Sequence, residues 1–180
     1  MCRICVRRAP RGRIPRGRAP PPDKAWRVAV VDHVDGRVHP VTLELIGKAR
    51  ELAAKADQPV YALFIGENVA GSARELLHYG VDRVFVYDAP ALARFRIEPY
   101  ANVFEDFVKA ERPAAIVRAT PSGGSSPRVA ARLHAGLTAD CTVLDMLETP
   151  TSSNPPRLRR QHHGADRHPN HRPQMATVRW

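Results

Sequence analysis

The sequence predicts a single α/β domain, a Rossmann-like parallel sheet with helices on both faces. Three observations carry that prediction. Short apolar runs rich in β-branched residues recur at Trp26–His33, Val60–Ile65, Arg83–Tyr87 and Ala114–Ala119. Runs of this kind are how strands buried on both faces read. Stretches with helical apolar spacing separate them, and the connecting loops are short. Strand and helix alternating in this way build a parallel sheet with right-handed crossovers.

In chain order, the first run, WRVAVVDH, gives way to a turn at Asp35-Gly36. Pro40 precedes a helix starting near Thr42, with Glu44 and Glu51 early, Lys55 late, and Leu45, Ala49 and Leu52 on the buried face. Pro59 opens the second strand and Gly66 ends it. A helix over about Val69–Tyr79 offers Ala73, Leu76 and Leu77 to the sheet and is capped by Gly80. The strand RVFVY leads to a loop, Asp88–Glu98. Pro99 and Tyr100 then begin a helix whose apolar face is Val103, Phe104, Phe107 and Val108. Pro113 ends that helix before the fourth strand. Ser125 and Ser126 can cap a further helix with Pro127 in its first turn and a stripe of Val129, Ala130 and Leu133. Gly136 is expected to stop it, and Thr138–Thr142 leads into a strand-like run ending at Leu147.

At 180 residues the chain is long enough for one domain with a real core. Its net charge of +10 invites a nucleic-acid reading. Yet of 28 Lys and Arg, residues 1–27 hold nine and residues 151–180 hold six, with one acid in each flank. The middle keeps 13 bases against 16 acids, so the folded part is mildly acidic. No aromatic residue interleaves the flanking arginines to stack on bases, so no nucleic-acid partner is expected. No apolar run approaches the roughly 18 residues of a membrane span, and the start lacks a secretory apolar segment. Three cysteines without a secreted context fit a reducing, cytoplasmic setting. Residues 1–25 are dominated by Arg, Pro and Gly and are expected to be a disordered tail. Residues 26–150 form the domain, and residues 151–180 read as an irregular tail.

Candidate chemistry is sparse. Thr120–Ser126 is a glycine loop between a strand and a helix, and backbone amides aimed by a helix start can hold an anion. Ser122, Gly123, Gly124, Ser125 and Arg128 are the candidates for such an anion or interface loop. The dinucleotide fingerprint and the P-loop are both absent, and a capped helix start explains the loop as well. Cys141 beside Asp140 reads as a small buried residue rather than a nucleophile. Asp32 and Asp35 read as solvated loop acids. His33, His39, His78 and His134 are scattered. Cys2-x-x-Cys5 with Pro10 looks like the end of a ferredoxin cluster motif, but Ala9 stands where its last cysteine belongs, so no metal site is expected. Four histidines between His162 and His171 form no expected metal site either.

Two phrases carry a resemblance. PRVAARLHAGLTADCT at Pro127–Thr142 and VHPVTLELIGKARELA at Val38–Ala53 resemble the amino-terminal domain of the electron transfer flavoprotein alpha subunit. HPNHRPQMATVRW at His168–Trp180 resembles the family again. Read one base later with permitted codons, Thr151–Gly164 becomes LLQTRPAFGGNIMA, close to the family's wording there. A frame-shifted segment over about 151–168 is therefore expected. The resemblance implies a Rossmann-like first domain of the adenine-nucleotide-hydrolase-like kind, without a nucleotide of its own. It implies docking to a beta subunit and an FAD held mainly by a second domain that this chain lacks. Electrons would come from dehydrogenases and pass to a quinone reductase or ferredoxin. The chain is then a carrier subunit fragment rather than an enzyme. The family usually has a charged GRDL-like phrase where Gly123–Ser126 stand, and this chain departs from it. The alternatives are a stand-alone small-molecule or nucleotide-binding protein using the Ser122–Ser126 loop, and a non-functional truncated product.

Overall fold

The computed structural model describes residues 2–7, 27–54, 58–120, 125–141, 144–147, 157–160 and 173–179. The elements in chain order are β1 (Cys2–Arg7), β2 (Arg27–Val31), β3 (His33–Val34), β4 (Arg37–Val38), α1 (Pro40–Ala54), β5 (Val60–Gly66), α2 (Ala70–Glu75), β6 (Arg83–Asp88), α3 (Ile97–Glu111), β7 (Ala115–Thr120), α4 (Ser125–Arg132), β8 (Leu137–Cys141), β9 (Leu144–Leu147), β10 (Arg157–Arg160) and β11 (Gln174–Arg179). Short 3₁₀ turns follow α2 at Leu76–Tyr79 and precede α3 at Pro90–Leu92.

Seven strands make one sheet in the order β1-β6-β5-β2-β7-β11-β8. From β6 to β8 all neighbours run parallel. Every residue of β5 is buried, as a central strand covered on both faces requires. The two faces part by strand alternation. Val28, Val30, Leu63, Phe85 and Ile116 pack under α3 and α4, against Phe104, Phe107 and Val129. On the other face Ala29, Val31, Phe64 and Val86 pack with Ile46, Ala73 and Leu76. There Val117 and Ala119 also meet Leu45 and Leu52 of α1. The expected parallel sheet with helices on both faces is what forms.

Local chemistry sets the ends of these elements. Asp35 and Gly36 both have positive φ (48° and 77°), the pairing a tight type I′ hairpin between β3 and β4 demands. Asp88, closing β6, accepts the backbone N–H groups of Asn68 and Val69 at 2.8 and 3.0 Å and so holds the approach to α2. Gly80 closes the turn after α2 with φ of 85°. α3 ends in a left-handed Arg112, just before Pro113.

Three expectations change. α4 ends at Arg132 rather than at Gly136, because His134 takes the left-handed conformation (φ 49°) that closes the helix. The amino-terminal stretch supplies β1, which pairs antiparallel along β6 from Cys2↔Asp88 to Arg7↔Arg83. A sheet edge offers unpaired backbone donors and acceptors that a peptide of almost any composition can satisfy. The carboxy-terminal stretch supplies β10, paired with β9, and β11, which lies between β7 and β8. Met175, Ala176 and Thr177 are buried there: Met175 joins the core under α3 and α4, and Ala176 joins the one under α1 on the other face. The rest of 151–168, where a shifted reading frame is expected, lies outside the described residues.

Candidate functional site at the sheet switch point

The chain moves outward from β2 to β5 and β6, then returns to place β7 on the other side of β2. Neighbouring loops therefore diverge at the carboxyl ends of β2 and β7. In doubly wound sheets this is where a crevice opens and ligands bind. A crevice of about 400 Å³ is present there, lined by residues that include Asp32, His33, Phe95, Tyr100, Phe104 and Arg118.

Its floor is built by alternation. Val28 and Val30 face α3, and Asp32 follows them in the same row. Ile116 faces α3, and Arg118 follows it. The two charged groups thus converge beneath α3. Arg118 Nη2 lies 3.8 Å from Asp32 Oδ1, with side chains 6% and 17% exposed. The guanidinium also sits 5.9 Å from the centroid of the Phe104 ring. Burial pushes the Arg118 guanidinium below its ordinary value, while Asp32 and Tyr100 act in the opposite direction. Burial likewise raises the Tyr100 phenol, with Arg118 opposing and Asp32 adding to the rise. The Tyr100 hydroxyl lies 3.3 Å from the Leu92 carbonyl and 3.5 Å from that of Ile65. Thr42, fully buried on α1, holds the Asp32 backbone. Its hydroxyl donates to the Asp32 carbonyl and accepts the Asp32 N–H, each at 3.0 Å.

His33 seals one side. Its Nδ1 accepts the Gly36 N–H at 3.2 Å, which leaves Nε2–H to donate to the Ile65 carbonyl at 2.8 Å. The opposite rim is apolar and open: Val34 is 64% and Phe95 43% exposed. Phe95 meets Tyr100 edge-on with centroids 4.9 Å apart. The crevice therefore combines an acidic acceptor and a cation on its floor with aromatic surface at its mouth.

The candidates from the sequence fall elsewhere or outside view. Ser122, Gly123 and Gly124 lie outside the described residues, and of Ser125 only its place at the start of α4 is described. Arg128 turns to α3, where its Nη1 bonds Glu98 Oε1 at 2.7 Å. Arg132 also bonds Glu98, and its Nη1 bonds Asn102. Cys2 and Cys5 stand three residues apart on the extended strand β1, about 10 Å along it. Among the described residues no group of three or more His, Cys, Asp or Glu is placed to hold a metal. Cys141 is fully buried with its thiol 3.5 Å from the Thr138 carbonyl, as a small core residue. Asp32 is not a solvated loop acid but part of the crevice floor. The signal for it was present in the sequence: Arg118 interrupts an apolar strand, AAIVRA, and a charge in such a row requires a partner.

The electron transfer flavoprotein domain family matches residues 27–180. The chain belongs to that family. It is 53% identical over 155 residues to the lactate dehydrogenase (NAD(+),ferredoxin) subunit LctC of Acetobacterium woodii, covering 82% of this chain and 37% of that protein. It is 38% identical over 152 residues to the electron transfer flavoprotein subunit alpha of Clostridium acetobutylicum, covering 81% and 44%. The alpha subunit of Thermoanaerobacterium thermosaccharolyticum shows 36% identity over 148 residues, covering 81% and 45%. The chain thus spans under half the length of these relatives.

The family is a flavoprotein family, and the crevice does not fit its dinucleotide. Its volume is near the lower end for drug-sized ligands, which are smaller than FAD. A pyrophosphate needs glycines at the end of the first parallel strand so that backbone can approach it. Here β2 runs into Asp32-His33-Val34, and the His33 ring fills that space against Gly66. Among the described residues no helix is long and apolar enough to cross a membrane.

Proposed function

We propose that this chain is the amino-terminal domain of an electron transfer flavoprotein alpha subunit. In this reading it docks to a beta subunit within an FAD-dependent electron carrier that accepts electrons from dehydrogenases. The supporting observation is the joint one: family membership across 27–180 on a doubly wound sheet whose switch-point crevice does not fit a dinucleotide. The domain then serves as a scaffold. FAD belongs to the assembled heterodimer, held mainly by a second domain, and supplies the redox chemistry there. This chain's part is binding and orientation, so it is a carrier subunit rather than an enzyme. Electrons pass onward to a quinone reductase or ferredoxin. The 53% identity to LctC, against 36–38% to the two named alpha subunits, favours a complex serving an NAD⁺- and ferredoxin-linked lactate dehydrogenase. The setting is cytoplasmic.

Co-expression with a flavoprotein beta subunit tests the reading. A stable one-to-one complex is expected, and the purified 180-residue chain alone is expected to carry no stoichiometric yellow chromophore. Failure to retain the beta subunit, or tight flavin on the isolated chain, would overturn it.

A further inference from the structure

The loop that leads from β6 into α3 carries an exposed patch that the packing of the sheet leaves without a partner. We propose that this patch docks an acidic peptide segment of a partner protein, one in which apolar residues stand among carboxylates. Residues 93–98, ARFRIE, are all exposed. Phe95 is 43% and Ile97 39% exposed, and an arginine precedes each of them. Aromatic residues and arginine are what protein interfaces concentrate at their energetic centres. The Phe95 ring is also held before any partner arrives. It meets the Tyr100 ring edge-on with centroids 4.9 Å apart, and the Tyr100 hydroxyl donates to the Leu92 carbonyl at 3.3 Å. An anchor fixed in advance loses little freedom on binding.

Charge defines the partner. Among the described residues Arg94 and Arg96 have no hydrogen bond or ion pair. Two residues further on, Glu98 is shared by Arg128 and Arg132 of α4. The surface thus sets four arginines against one carboxylate. Arg96 caps the start of α3, and the first turn of α4 holds no acid, so the positive ends of two helices add to the same field. The middle of the chain as a whole is mildly acidic, so this excess is local. Glu98 shows which counter-group suits the surface: a carboxylate between guanidinium groups. Arg94 and Arg96 lack the same group.

The chain's own flanks do not match it. Residues 1–27 hold nine Lys and Arg and residues 151–180 hold six, with one acid in each. A second copy presenting the same patch would set arginines against arginines. Phosphates of a nucleic acid would match the cations but make no use of Ile97. An acidic segment with apolar residues uses both the cations and the apolar pair.

The probe is a fluorescent peptide of alternating glutamate and leucine, followed by anisotropy with the purified 180-residue chain. Saturable binding is expected at about 0.1 M salt, weakening at least about threefold at about 1 M as the Debye length falls from about 10 to about 3 Å. Arg94→Ala combined with Arg96→Ala should weaken it roughly 2- to 30-fold. Phe95→Ala should weaken it at least about fivefold. Arg74→Ala removes an exposed arginine from α2, on the other face of the sheet, and should leave the affinity unchanged. No saturable binding would overturn the proposal, as would equal weakening in Arg74→Ala. Tighter binding of oligothymidylate or of phosphatidylserine vesicles than of the peptide would overturn it in favour of a nucleic acid or a membrane surface. The inference goes beyond beta-subunit docking, and capture of that subunit is scored on the same variants. Capture is expected to be unchanged. Its loss in the Arg94/Arg96 variant would assign the patch to that interface and overturn a separate partner, whereas no capture by the parent chain overturns the carrier reading alone.

Discussion

Gly66 closes β5 with no room for a side chain, and replacing it tests how firmly His33 is fixed beside the crevice. A Cβ at position 66 would lie 2.6 Å from Val69 Cγ1, 2.8 Å from His33 Nε2 and 2.9 Å from His33 Cε1. Comfortable carbon contacts begin near ~3.5 Å, so these neighbours must retreat by up to about 1 Å. His33 cannot retreat cheaply, because that would break its 2.8 Å bond to Ile65 and its 3.2 Å bond from Gly36. Overpacking of this kind costs about 1–3 kcal/mol. Reduced freedom of the unfolded chain returns about 0.4–1 kcal/mol in a Gly→Ala change. The net expectation for Gly66→Ala is a loss of about 1–2 kcal/mol, a fall in Tm of about 2–8 °C for a chain of this size. Thermal and urea unfolding read it directly. A double-mutant cycle isolates the ring's share: in a His33→Ala background the same Gly66→Ala change should cost less, since two of the three blocking atoms are gone and only Val69 Cγ1 remains. An unchanged cost in both backgrounds would refute the part assigned to His33, and a single-variant loss below about 0.5 kcal/mol would refute the packing argument as a whole.

Thr42→Val removes the hydroxyl that both donates to and accepts from the Asp32 backbone inside the core. It should cost about 1–3 kcal/mol in urea unfolding, whereas Thr42→Ser should stay near the parent. Glu98→Gln loosens the clasp of Arg128 and Arg132 between α3 and α4, but all three side chains are a third or more exposed. Its cost should stay below about 1 kcal/mol and shrink further as salt is added. Tyr100 holds its proton more tightly folded than unfolded, so the unfolded chain ionises first as pH rises. Stability contributed by this group is complete below about pH 10 and declines as pH climbs through the raised folded value. Phenolate absorbance followed against pH should lose late-titrating amplitude equal to one tyrosine in Tyr100→Phe.

Most of the layered architecture is legible in the residues alone. Runs such as VYALFI and AAIVRA announce strands buried on both faces, and the positions named for α1 and α3, from Leu45 to Leu52 and from Val103 to Val108, are the ones that pack. Burial periodicity is a local property, repeated every two or 3.6 residues, so it is readable in the residues themselves. Turn chemistry was equally local, as at Asp35-Gly36 and Gly80. The family phrases added what periodicity does not carry, the kinship that residues 27–180 confirm.

The remaining features depend on which strands become neighbours. The pairing of QMATVR between β7 and β8 depends on two strands some 30 to 60 residues earlier, and nothing within those six residues fixes their neighbours. β1 lies along β6 for the same reason, since a strand edge accepts backbone rather than a particular sequence. The crevice is the sharpest case. Asp32 and Arg118 are 86 positions apart in sequence; Arg118 stands out as a charge within an apolar run, but nothing near it names its partner, and alternation puts each on the α3 side of its own row. Their meeting requires β2 and β7 to become neighbours, and that adjacency is a consequence of the strand order, a non-local outcome of burying every apolar face at once.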